Sequence, residues 1–228
     1  MRARRCREIL FIVLAAVVTT PVLAQSSFNF EGLIDSTILT NQYTGATFSN
    51  TIVLSAGITL NELELPTHAG TSAASDNGGP MTIVFTSPLR SFSGYFTYSL
   101  LLTLQAFDST NHLVASTSSQ FSNNEALAGV PGSHPNEVLQ VSATASIYKI
   151  VITGGAQGAS FTVDDVIVVG KCDLNQDGLT TVADAQAAVN EALGAMSGAD
   201  DLTGDNSVNV VDIQIVINAA LGFGCAAK

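Results

Sequence analysis

The sequence predicts a mainly β protein: an antiparallel β-sandwich or jelly roll followed by a small α-helical unit. Three observations predict it. Residues 25–170 run as short β-branched and aromatic stretches separated by turn residues. No segment of helical period and helical length interrupts them. From residue 171 the aspartate density rises and the apolar spacing moves from two to three and four. A length of 228 residues suits one ordinary domain with a small addition. Hydrophobic residues make up 46% and charged residues 12%, which allows a buried core and excludes wholesale disorder. The net charge of −11 excludes the basic footprint that nucleic-acid binding requires.

Residues 1–24 read as an export signal. MRARRCRE is basic, ILFIVLAAVV is an apolar run of ten, and TTPVLA places Val22 and Ala24 before the expected cleavage after Ala24. Ten apolar residues are too few for a stable membrane span. The expected product is secreted or held at the cell surface. It carries four basic residues (Arg90, Lys149, Lys171, Lys228) against 18 acidic ones, a net −14 that attracts cations. Cys6 leaves with the signal. Cys172 and Cys225 remain, in a compartment that allows oxidation.

In residues 25–170 the strand candidates are SFNFEGLI, ATFSNTIVLS, MTIVFTS, SFSGYFTYS, LLLTLQAF, HLVASTS, EVLQVSA, IYKIVITG and SFTVDDVIVV. Nine or ten strands of this spacing imply a sandwich. PTHAGTSAASDNGGP (66–80) and SNNEALAGVPGSHPN (122–136) read as loops by composition. No catalytic constellation is legible. His68, His112 and His134 share no metal-ligand spacing, and neither a nucleophile elbow nor a phosphate loop occurs. Glycoside hydrolysis needs two carboxylates set apart in a cleft. Glu62 and Glu64 read instead as one solvated strand edge. Glu31 and Asp164-Asp165 fall in the first and last strands, which are expected to be neighbours, with a structural calcium as one expectation there. Sugars stack on exposed rings. The chain has no Trp, so Tyr43, Tyr95 and Tyr98 are the candidate rings.

Residues 171–228 hold the informative chemistry. DLNQDGLTTVAD (173–184) and DLTGDNSVNVVD (201–212) place oxygen-bearing side chains at loop positions 1, 3, 5 and 12. These are Asp173, Asn175, Asp177 and Asp184, then Asp201, Thr203, Asp205 and Asp212. The carbonyls of Leu179 and Ser207 stand at position 7. A hard cation such as Ca2+ needs six or more oxygens, and this spacing supplies them in an EF-hand-type loop. Position 6 needs a left-handed backbone, which suits Gly178 and is tolerated by Asn206. Two calcium sites are therefore expected, with loop 1 the better for its glycine. At an offset of 28 residues, 10 of 22 aligned positions are identical. They include the Leu-Gly pairs 193–194 and 221–222, which read as helix ends. Ala185, Ala188, Val189 and Ala192 form the apolar stripe of the first helix, and Ile213, Val216, Ile217 and Ala220 that of the second. Cys172 and Cys225 bracket the unit, and its thin core makes a disulfide staple the expected pairing.

Two loop-then-helix half-EF-hands in tandem resemble a type I dockerin domain, over residues 172–225. The resemblance implies calcium-dependent folding and docking onto a cohesin-like partner or surface scaffold, with the ten residues above as metal ligands. Loop positions 10 and 11 would face that partner. They are usually polar in the family and here are Val182-Ala183 and Val210-Val211, with Val210 expected in the core. The offset of 28 leaves little room for a middle helix, and the basic residues that often follow are absent. Less specifically, FNFEGL, NQYTGATFSN, LRSFSGYFTYSLLLTLQAFDSTNHLVAS and FTVDDVIVV resemble the galactose-binding-like jelly rolls of secreted bacterial proteins. That likeness implies glycan or surface binding. The functional expectation is a secreted non-catalytic protein that docks a β-sandwich onto a scaffold, with a role in polysaccharide breakdown. Its rivals are a component of a polysaccharide-degrading assembly with glycoside hydrolase activity, and a structural cell-surface protein.

Overall fold

The structure, a computed structural model, describes residues 27–228. The expected export signal at 1–24, with its expected cleavage after Ala24, lies outside the described residues. Nine strands and two helices follow in chain order. They are β1 (Ser27–Phe28), β2 (Ala46–Ser49), β3 (Thr51–Ser55), β4 (Ser72–Asn77), β5 (Met81–Tyr98), β6 (Thr103–Phe107), β7 (Leu113–Ser118), β8 (Glu137–Thr153), β9 (Gly158–Gly170), α1 (Val182–Ala192) and α2 (Val210–Ala220).

Two long strands make the sandwich. The first half of β5 pairs with β2 and with the second half of β8, from Met81 opposite Ile152 to Val84 opposite Lys149. Its second half pairs with the first half of β8 and with β9. The register breaks between Val84 and Ser91. Pro88 sits in that break, where its missing N–H costs no ladder bond. One continuous antiparallel sheet thus doubles over into two leaves. One leaf holds β2, β6 and β7; the other holds β3, β4 and β9, with β1 against β9. Alternate side chains point inward, and residues of both leaves form a single core. Phe28, Phe92, Phe96, Phe161, Met81, Ile83, Leu104 and Ile150 are among its fully buried members.

Three expectations change here. MTIVFTS and SFSGYFTYS are one strand, β5, and EVLQVSA and IYKIVITG are one strand, β8. Residues 72–77, read as loop, are the strand β4 between β3 and β9. Its Ser-Ala-Ala-Ser composition is weak for a strand, but small side chains fit a buried position, and pairing overrides propensity. Buried Asp76 fastens it by accepting from Ser160 N, Ser160 Oγ and Phe161 N. Residues 61–65, read as a strand edge bearing Glu62 and Glu64, form a turn. Glu64 there accepts from the amides of Leu127 and Ala128, so it ties two loops together.

The C-terminal unit has its own small core of Cys172, Ala185, Ala188, Leu202, Val216, Ala219 and Ala227. Cys172 and Cys225 are disulfide-bonded. Of the expected helix stripes, Ala185, Ala188 and Val216 are buried, whereas Ile217 is exposed. Both helices end as expected, with Gly194 and Gly222 at positive φ of 70° and 83°. The unit lies under the crease where β5 and β8 change leaves. Lys171 N donates to Pro88 O, and the Lys171 ammonium donates to Thr144 O. Ser146 Oγ donates to the carbonyls of Ala227 and Lys228, and Arg90 pairs with Asp200.

Candidate functional site

The two acidic loops are built alike, residue for residue. Asp173 Oδ1 accepts from Asp177 N and its Oδ2 from Gly178 N. Asp201 repeats this with the amides of Asp205 and Asn206. At position 12, Asp184 Oδ1 accepts from the amides of Leu174 and Asn175, and its Oδ2 from Thr181 N. Asp212 does the same for Leu202, Thr203 and Asn209. Thr181 and Asn209 cap the helices, and each completes a reciprocal capping box with its position-12 aspartate. Negative charge in the first helical turn also suits the helix dipole.

The backbone repeats too. Position 4 is left-handed in both loops, at Gln176 (φ 60°) and Gly204 (φ 73°). So is position 6, at Gly178 (φ 91°) and Asn206 (φ 69°). Each loop therefore holds one non-glycine residue in the left-handed region. By this criterion the glycine at position 6 does not favour loop 1, because Gln176 offsets it.

The donor set is all oxygen: carboxylates, one carboxamide, one hydroxyl and the position-7 carbonyls. That chemistry fits a hard divalent cation. As drawn together here, the carboxylates cap amides. Among the described residues no three acidic, histidine or cysteine side chains stand grouped as a metal cluster. Burial pushes the Asp173 carboxyl above its usual value. The Gly178 amide opposes the shift, and the nearby charges of Asp184 and Asp177 add to it. Mutual repulsion of this kind is what a bound cation relieves.

At the partner-facing positions Val182, Ala183, Val210 and Val211 are all exposed. Val182 is 81%, Val210 74% and Val211 52% accessible. The expectation that Val210 is core is corrected: the helix turns its buried face, Val216 and Ala219, to α1, and Val210 falls on the opposite side. Leu193 and Leu221, also equivalent in the repeat, are exposed as well.

In the sandwich, β1 does pair with β9, Phe28 opposite Val166. Glu31 and Asp164 grip the loop between them. Glu31 Oε1 accepts from Thr71 N and Ser72 N, and Asp164 Oδ2 accepts from His68 N and Ala69 N. Burial raises the Asp164 carboxyl above its usual range, against the amide bonds. Gly70 sits at φ 61°, where a Cβ would lie 2.3 Å from Glu31 Oε1. Gly70→Ala should therefore destabilise the sandwich by about 1–2 kcal/mol, the cost of a left-handed L-residue, plus the displaced carboxylate. Chemical denaturation measures it, and an unchanged midpoint contradicts the grip.

Of the three candidate rings, Tyr43 and Tyr98 are buried, which corrects the expectation. Tyr98 hydrogen-bonds Glu137 through its hydroxyl, and burial with that bond pushes its pKa up to about 12. Tyr95 alone is part-exposed, and the His68 ring stacks on it at 3.4 Å between centroids. His68 Nδ1 also lies 2.7 Å from Asp165 Oδ2. A loop histidine read as solvated is thus part of a surface cluster. No local pattern marks it, because its partners are 27 and 97 residues away.

No protein-family model matches the chain, and the curated proteins hold no match to it. Solved structures do show similarity, at low identity. The K2 cleaved adhesin domain of Lys-gingipain has a TM-score of 0.41 and 13% identity, over 64% of this chain and 99% of its own. The arabinose-bound α-L-arabinofuranosidase MgGH51 has a TM-score of 0.44 and 14% identity, over 75% of this chain but only 30% of its own. CsCBM6-3 from Clostridium stercorarium, in complex with cellobiose, has a TM-score of 0.32 and 17% identity, over 58% of this chain and 92% of its own. At these scores the architecture rests on the strand pairing itself. Among the described residues no helix is long and apolar enough to cross a membrane.

Proposed function

We propose that the protein is an exported, non-catalytic binding protein. In this reading a calcium-loaded, dockerin-like unit holds a polysaccharide-binding β-sandwich on a cohesin-like partner or scaffold. One observation carries it: the two acidic loops repeat each other in backbone, in caps and in exposed apolar residues. A single capped acidic turn needs only one such set. Duplication of the ligand positions together with Val182 and Val210 is what a metal-ordered docking face requires. Ca2+ would be held by Asp173, Asn175, Asp177, Leu179 O and Asp184, and by Asp201, Thr203, Asp205, Ser207 O and Asp212. When bound, it supplies charge neutralisation that couples folding to metal. The exposed valines and leucines would meet an apolar face on the partner. On the sandwich, the part-exposed Tyr95 with His68 is the ring surface offered to a glycan.

Calorimetric titration of the oxidised chain lacking residues 1–24 tests the reading. Two calcium sites are expected. With free calcium at about 100 times Kd, each filled site should stabilise the unit by roughly 2.7 kcal/mol. The paired variant Asp173→Ala with Asp201→Ala should lose both. Absence of calcium heat in the parent chain reduces the loops to helix caps. Val182→Asp with Val210→Asp should abolish capture of a cohesin-like protein while leaving calcium binding intact. Unaltered capture removes the docking role.

A further inference from the structure

Three of the four basic side chains in residues 27–228 meet in one place. Arg90, Lys171 and Lys228 line a cleft of about 770 Å³ between the crease of the sandwich and the second acidic loop. For a chain this acidic, gathering its cations in a single cleft is a strong local asymmetry. Their hydrogen bonds are incomplete. One terminal nitrogen of Arg90 is used by Asp200, but Arg90 Nε is buried with no acceptor. Lys171 is only 7% accessible, and the acceptor its ammonium meets is Thr144 O. An ammonium carries three donors. Burial lowers the Lys171 pKa, and the Arg90 charge lowers it further, against the pull of Asp200 and Asp201. Asp201 also lines the cleft, yet its carboxylate already accepts from Thr203 Oγ1 and the amides of Gly204, Asp205 and Asn206. Unmet donors beside a buried cation ask for an acceptor that carries charge.

The remaining walls say what kind. Ser142, Thr144 and Asn206 bring hydroxyl and carboxamide groups, and Ala143, Ala145 and Ala199 bring small apolar surface. The volume lies in the range of organic-ligand sites and exceeds what a lone inorganic anion fills. We propose that this cleft binds a sugar acid, its carboxylate received by the Arg90 guanidinium and the Lys171 ammonium and its hydroxyls by Ser142, Thr144 and Asn206. The site belongs to neither unit alone, so the ligand bridges them. It names an acidic class of saccharide at a place separate from the Tyr95 surface, and it stands without the calcium reading.

The test is titration of the oxidised full chain, without added calcium and at low salt. The probes are galacturonate, glucuronate, neutral galactose and sodium sulfate. A sugar acid should bind, with galactose and sulfate each weaker by about tenfold or more, the scale of one charge-assisted hydrogen bond. Arg90→Lys keeps a cation for Asp200 and removes the guanidinium, so it should weaken the sugar acid by about tenfold at an unchanged melting temperature. Ala145→Trp fills the cleft without touching an ion pair and should abolish binding, which keeps the test decisive if Arg90→Lys unfolds the seam. Binding unaffected by Ala145→Trp, or no binding by any probe, overturns the proposal. Sulfate binding as tightly as the sugar acids overturns the saccharide assignment, and galactose binding as tightly overturns the role of charge.

Discussion

Serine at both Cys172 and Cys225 should melt the C-terminal unit on its own, below the sandwich, at a cost of about 4 kcal/mol in the chain-entropy account. The bridge joins residues 53 apart and so closes nearly the whole unit. What it closes is thin. Of the seven buried residues in that core, four are alanine, and only Leu202 and Val216 bring larger aliphatic groups. Alanine methyls bury little area, so the hydrophobic contribution is small beside the chain entropy. The sandwich core, by contrast, holds seven buried Phe rings besides those of Tyr43 and Tyr98. Differential scanning calorimetry of the parent and the double-serine chain should show an unchanged sandwich transition and a second transition that falls steeply. A C-terminal transition unmoved by the loss of the bridge would mean that contacts along the crease, not the cross-link, hold the unit.

Asp212→Ala should be the most damaging single change in the acidic loops. The carboxylate is wholly buried, and three backbone amides depend on it: Leu202 and Thr203 through one oxygen, Asn209 through the other. Alanine leaves three donors without acceptors at the base of α2. Each such loss costs about 1–3 kcal/mol when water cannot replace the partner, and shared partners make the total less than additive. The capping box at Asn209 goes with it. Asp212→Asn should be intermediate, since its oxygen serves two amides while its NH2 faces the third. Amide hydrogen exchange reads this directly: Leu202, Thr203 and Asn209 should lose protection in the alanine variant. Retained protection at all three would show that other groups fill the role. Asp184→Ala should behave alike in loop 1, because Leu174, Asn175 and Thr181 are held the same way.

These two effects differ in how far they are legible. The acidic loops are local objects. Their ligand spacing, their caps and the glycines that stop their helices all lie within a dozen residues, so short-range backbone preference decides them. The staple is legible because residues 27–228 hold only two cysteines, and one pairing exists between them. The exposure of Val210 is not legible, for the opposite reason. A helix of eleven residues presents several apolar sides, and which one meets α1 is set by packing rather than by period.

The same division runs through the sandwich. Alternation along MTIVFTS or IYKIVITG determines that these residues are strand and which side faces inward, because side chains in a strand alternate whatever their neighbours. Alternation carries nothing about continuity across a bend, so β5 and β8 each looked like two strands. Composition suggested a loop at Ser72–Asn77, and only a place between β3 and β9, with Asp76 holding Ser160 and Phe161, makes it a strand. By itself, then, the sequence determined the mainly β class, the disulfide pair and the duplicated acidic loops, all products of local period, spacing or elimination. The tertiary structure alone decided the creased strands, the His68–Tyr95 stack and the meeting of Arg90 with Lys171 and Asp200. Those contacts join residues up to 110 apart. Nothing in a local pattern encodes such pairings, because they arise only when the whole core has chosen its register.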